Sequence, residues 1–87
     1  MASAERRVAV ASPVGLHARP AALFVQAVAA TGLPVSITCP DGRTADARSI
    51  LAVVTLDVRH GEEVVLHAVG DGAEQALDRL VELLAHE

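Results

Sequence analysis

Gly15-Leu16-His17-Ala18-Arg19-Pro20-Ala21 marks the passage from an extended segment into a helix, and the rest of the chain arranges itself around that junction. From Ala18 the apolar positions Ala21, Phe24, Val25 and Val28 recur at i, i+3, i+4 and i+7, which is one face of a helix. Pro20 suits the first turn, because its missing N–H has no partner there in any case and its fixed φ is already helical. Thr31-Gly32 followed by Pro34 stops the helix. Upstream, Val8 and Val10 alternate with Arg7 and Ala9, a short half-buried strand ending at Ser12-Pro13. Downstream, Val35, Ile37 and Cys39 alternate with Ser36 and Thr38, and Pro40-Asp41-Gly42 is turn chemistry that leads back through Arg43 to Asp46 as a hairpin. Ser49 caps a short apolar helix from Ile50 to about Thr55, and Gly61 opens a last strand in which Val64, Leu66 and Ala68 share a face. Asp71 with Glu74 three residues on reads as an acidic capping box before Ala73, Ala76, Leu77, Leu80 and Leu84, a final amphipathic helix. The order β-α-β-β-α-β-α predicts an α/β two-layer sandwich, with helices covering one face of an antiparallel sheet.

Eighty-seven residues, 52% apolar and 21% charged, make one globular domain over 1–87 and leave no room for a second fold. Phe24 is the lone aromatic, so the core must come from Val, Leu, Ile and Ala, and platforms for stacking bases are absent. No Lys occurs, and every cation is an Arg: Arg6, Arg7, Arg19, Arg43, Arg48, Arg59 and Arg79. Residues 1–48 hold five Arg against three acids, a balance of +2, and residues 49–87 hold two Arg against eight acids, a balance of −6, which together give the net −4. An acidic total without a basic stripe argues against nucleic acid as partner. The start lacks the apolar stretch of a secretory signal, and the run from Pro20 to Val28 is too short to span a bilayer, so a cytoplasmic protein with no membrane insertion is expected. The single Cys39 has no partner for an internal disulfide and reads as a small buried hydrophobe.

Chemistry concentrates at His17. The first N–H groups of a helix lack internal acceptors and the peptide dipoles add about half a positive charge there, so an anion at that end is stabilised by roughly 0.3 to 2 kcal/mol. A phosphate carried on His17 meets the backbone N–H groups of Ala18 and Arg19, and the planar guanidinium of Arg19 suits phosphate oxygens. Neutral imidazole is a competent nucleophile, and a nearby cation favours that neutral form. Gly15 allows a sharp backbone turn just before it. His60, in a turn before Gly61, His67, opposite the Val64 and Leu66 face, and His86, in the tail, share none of these surroundings and read as solvated. No His or Cys pair has metal-ligand spacing, so neither metal nor cofactor is expected.

These residues give the chain its resemblance to HPr, the histidine phosphocarrier of the bacterial phosphoenolpyruvate-dependent sugar phosphotransferase system. Gly15-Leu16-His17-Ala18-Arg19-Pro20-Ala21, Ser49-Ile50-Leu51, Leu56, Gly61 and Gly70 carry the likeness, which covers nearly the whole chain. It implies an open-faced sandwich of the α+β kind, with sheet order 1-4-2-3 and three helices on one face, and a monomer. It implies that enzyme I passes a phosphoryl group to Nδ1 of His17, that His17 hands it to the A domain of a sugar-specific enzyme II, and that Arg19 is the active-site arginine. The protein is then a carrier rather than an enzyme. Leu23, off the core face of its helix, and Leu51 are candidates for the docking patch. Ser49 is first an N-cap; in part of the family the matching serine is phosphorylated by HPr kinase/phosphorylase, although Ala52 stands where such members often have Gly. Val14 replaces a small polar residue, which predicts a missing hydrogen bond in the loop, and Asp57 replaces a common Gly, which Asp tolerates in the left-handed region. The alternative within the resemblance is a regulatory paralogue, serving a nitrogen branch or binding a transcriptional regulator through His17 or Ser49.

Overall fold

The computed structural model describes residues 2–86. Met1 and Glu87, the two ends of the expected 1–87 domain, lie outside the described residues. Seven elements follow one another: β1 Ser3–Ala9, α1 Ala18–Thr31, β2 Val35–Thr38, β3 Thr44–Asp46, α2 Ile50–Thr55, β4 Glu63–Val69 and α3 Ala73–His86. The strands form one sheet in the order β1-β4-β2-β3, each neighbouring pair antiparallel. Period-two alternation fixes the register. Val8 lies opposite Val64, Ile37 opposite Leu66 and Val35 opposite Ala68, so all six inward side chains meet on one face and are buried there.

That face is covered by helices. Ala21, Phe24 and Val28 of α1, Val53 of α2 and Ala73, Leu77, Leu80 and Leu84 of α3 join the same core as the strand residues. Phe24 is fully buried, as are Leu16, Ile37, Leu66 and Leu77, each such side chain contributing about 1.5 to 3 kcal/mol. The sheet's other face carries Ser36, Thr38, Val65 and His67, only half-buried, so the sandwich is open-faced and of the α+β kind. Cys39 is buried, and loss of solvation pushes its thiol up.

The elements depart from local pattern in several places. β1 begins at Ser3, well before the Val8–Val10 alternation, because β4 supplies a ladder partner along its whole length as far as Ser3 opposite Val69. Val25 is half-buried at the rim of the core, since α1 points Ala21, Phe24 and Val28 most directly inward. The acidic capping box does not form: α3 starts at Ala73, so Gly72 and not Asp71 precedes it, and the Ala73 N–H donates to the Gly70 carbonyl at 3.2 Å. The α1 stop is as expected, with Gly32 at φ 70 donating its N–H to the Ala29 carbonyl.

Candidate functional site

The segment between β1 and α1 is clamped before it reaches His17. Buried Ser12 accepts the Gly15 N–H on its carbonyl at 2.9 Å and the Val14 N–H on its Oγ at 3.4 Å. Val14 joins this clamp through its backbone N–H alone, and its side chain is exposed. Leu16, wholly buried, anchors the loop in the core, and its N–H donates to the Val58 carbonyl at 2.9 Å. Gly15 sits at φ 70 directly against that second segment: a Cβ there would press on the Val58 carbonyl oxygen and lie 2.8 Å from the Arg59 Cα. His60, expected to be solvated, places Nδ1 3.1 Å from the Ala11 carbonyl and 3.2 Å from that of Ser12. It staples the same two segments, a contact across 48 residues or more that local pattern does not reveal.

His17 is the N-cap residue of α1, in extended conformation with φ −130 and ψ 167, and its side chain makes no capping bond. Ala18 follows at φ 50, a left-handed conformation that costs a non-glycine residue about 1 kcal/mol or more. The first backbone bond into α1 runs from the Ala21 N–H to the His17 carbonyl at 3.4 Å. Among the described residues the N–H groups of Ala18 and Arg19 have no acceptor, and Pro20 has no N–H to satisfy. The positive end of a 14-residue helix therefore faces outward beside a partly exposed imidazole. Arg19 is exposed and, among the described residues, forms neither a hydrogen bond nor an ion pair.

One neighbour of the imidazole was not legible in the sequence. His17 Nε2 lies 2.9 Å from Asp57 Oδ1. Asp57 Oδ2 in turn accepts from Arg59 Nη2 at 3.1 Å, and these two contacts, Arg59's first, hold the Asp57 carboxyl below the usual carboxylate range. Asp57 has φ 54, the left-handed conformation anticipated for it. Forty residues separate the partners, and the only sequence signal was an Asp where the family pattern has Gly.

Ser49 occupies the N-cap of α2, and its Oγ accepts the Ala52 N–H at 3.2 Å. Leu51 is 76% exposed, with Ile50 and Val14 also large, apolar and exposed. Leu23 is half-buried on α1, which packs against α2. Among the described residues no group of three His, Cys, Asp or Glu side chains is placed to hold a metal ion, and no helix is long and apolar enough to cross a membrane.

Residues 4–86 match a family model described as the PTS HPr component phosphorylation site. The chain belongs to the HPr family. It is 54% identical over 82 residues to the phosphocarrier protein HPr of Streptomyces coelicolor, covering 94% of this chain and 88% of that one. Similarity to the HPr-like protein Crh of Bacillus subtilis is lower, 37% over 83 residues, covering 95% and 96% of the two chains. Among solved structures, the HPr of Bacillus anthracis superposes with a TM-score of 0.90 at 36% identity, covering 97% of this chain and 99% of that one. The strand order 1-4-2-3 and three-helix layer implied by the HPr resemblance are those observed.

Proposed function

We propose that this HPr-family phosphocarrier accepts a phosphoryl group on Nδ1 of His17 from phosphorylated enzyme I and passes it to the A domain of a sugar-specific enzyme II. The observation that carries the reading is the uncapped N-terminus of α1 beside His17, where the N–H groups of Ala18 and Arg19 have no acceptor among the described residues. Phosphoryl transfer runs in line through a loose transition state, so the two proteins chiefly position donor and acceptor and neutralise moving charge. Arg19, two residues after His17, exposed and, among the described residues, without an acidic partner, adds a guanidinium for the phosphate oxygens. A partly exposed helix end binds phosphate firmly enough to guide it and loosely enough to release it. The chain acts as a carrier, consumed and regenerated in each transfer, and does not turn over a substrate of its own. Leu51 and Leu23 are the docking residues for both partners, and Ile50 and Val14 are further exposed apolar side chains. The 87 residues serve as one domain, a monomer in the cytoplasm.

Greater identity to the Streptomyces phosphocarrier than to Crh favours the carrier over the regulatory paralogue. The Ser49 hydroxyl is engaged as the α2 cap, which supports a structural role, and a kinase acting there would have to displace that contact. Mixing the protein with phosphoenolpyruvate and a matched enzyme I yields an acid-labile label on the wild type and none on His17→Ala. A wild type that takes no label, or a His17→Ala variant that takes as much, overturns the reading.

A further inference from the structure

We propose that Asp57 is a positioning residue for His17: its Oδ1 holds the Nε2 proton, so that the lone pair stands on Nδ1 where the phosphoryl group is accepted. This rests on the phosphocarrier reading of His17 and adds to it a residue that the HPr pattern, with its usual Gly, does not supply. The geometry is specific. Nε2 and Oδ1 are 2.9 Å apart, a charge-assisted hydrogen bond, and an ionised carboxylate only accepts, so the proton between them belongs to Nε2. Arg59 donates to its other oxygen at 3.1 Å, which favours the carboxylate orientation that turns Oδ1 to His17. Its backbone is tied as well. Asp57 donates its N–H to the Val54 carbonyl at 3.0 Å, and the next residue's carbonyl accepts the N–H of Leu16, the residue before His17. The two segments thus hold imidazole and carboxylate in register through main-chain contacts.

The chemistry that follows balances without a base. The Nδ1 lone pair attacks phosphorus, the Nδ1–P bond forms, and the bond from phosphorus to the donor atom breaks with its electron pair leaving on the donor. The proton stays on Nε2, and the positive charge that the ring acquires faces the Asp57 carboxylate. Onward transfer reverses these steps: the Nδ1–P pair returns to Nδ1 and Nε2 keeps its proton. Without the carboxylate the ring also populates the form protonated on Nδ1, which has no lone pair to offer there.

Asp57→Gly tests this, because Gly removes the acceptor while suiting the left-handed backbone at φ 54. The tautomer of His17 is read from imidazole ¹⁵N shifts of the unphosphorylated protein, and the rate of labelling is read with phosphorylated enzyme I. In Asp57→Gly the ratio of Nδ1–H to Nε2–H tautomer rises, and the labelling rate falls, each by about two- to fivefold, the range for an exposed charged contact. A melting curve confirms that the variant is folded. Unchanged ¹⁵N shifts and an unchanged rate in a folded Asp57→Gly overturn the assignment. Should the wild type itself take no label, the phosphocarrier reading fails, while the tautomer ratio still decides whether Asp57 governs the ring.

Discussion

Gly15→Ala is the substitution by which the loop clamp is best measured. Two effects act at once. The residue sits at φ 70, where a Cβ costs about 1 kcal/mol or more, and the new methyl is driven into the Val58 carbonyl oxygen and to within 2.8 Å of the Arg59 Cα. Both obstacles are backbone, so no side chain can swing aside, and the segments 12–17 and 57–60 must separate. Separation weakens the Leu16 N–H bond to Val58, worth about 1 kcal/mol, and overpacking of this kind costs typically about 1 to 3 kcal/mol. The total is about 3 to 5 kcal/mol, a large share of the roughly 5 to 15 kcal/mol that holds such a domain together. At about 4 to 8 °C per kcal/mol, the melting temperature falls by about 12 °C or more.

Gly32→Ala is the control, for Gly32 has the same φ of 70 and a Cβ there would meet nothing within 4 Å. It carries the conformational cost alone, about 1 kcal/mol. With no Trp or Tyr to report on unfolding, urea and thermal transitions are followed by far-ultraviolet circular dichroism. A Gly15→Ala variant that loses no more stability than Gly32→Ala would refute the clamp, since the two differ only in what the Cβ meets.

Ser49→Ala removes the side-chain acceptor of the Ala52 N–H and lowers stability by about 1 kcal/mol, measured as a shift in the urea midpoint; no shift would mean the α2 cap contributes nothing. Leu51→Ala, at a site 76% exposed, changes stability by less than about 0.5 kcal/mol yet slows labelling by enzyme I, and equal labelling rates would remove Leu51 from the docking patch. Asp41, Asp46 and Asp57 have carboxyls held below their ordinary values, chiefly by hydrogen bonds from Arg43, Arg48 and Arg59 respectively. The unfolded chain therefore binds protons more readily in acid, so the stabilisation is complete above the unfolded value of about 4 and is lost as pH falls through the lower folded values. The urea midpoint declines over that window, and an Asp41→Asn/Asp46→Asn variant declines less; parallel curves for the two proteins would contradict the assignment. Because the pairs are exposed, added salt flattens the decline.

Much of the fold could be read locally, for reasons visible in particular residues. Ala21, Phe24 and Val28 define the buried stripe of α1 by spacing alone, and Val64, Leu66 and Ala68 do the same for β4, because helical and strand periods are properties of consecutive residues. The α1 stop at Gly32 and the α2 cap at Ser49 were equally local, each needing only a short stretch of chain. Local pattern was overridden where a partner far along the chain decided the outcome. β1 extends to Ser3 because β4 is there to pair with it, and the start of α3 follows the backbone of Gly70 and Gly72 in place of the Asp71 side chain.

The candidate site divides in the same way. Sequence by itself determined that an imidazole, an Arg and a first-turn Pro stand together at the start of a helix, since all of these lie within six residues and the exposed N–H groups are a consequence of helix geometry. Only the tertiary structure decided which nitrogen of that imidazole is engaged. The carboxylate of Asp57 reaches His17 across forty residues because packing sets segment 57–60 against the loop through Gly15, Leu16 and His60. Local pattern specifies what each segment becomes, and contact between distant segments specifies what each side chain meets.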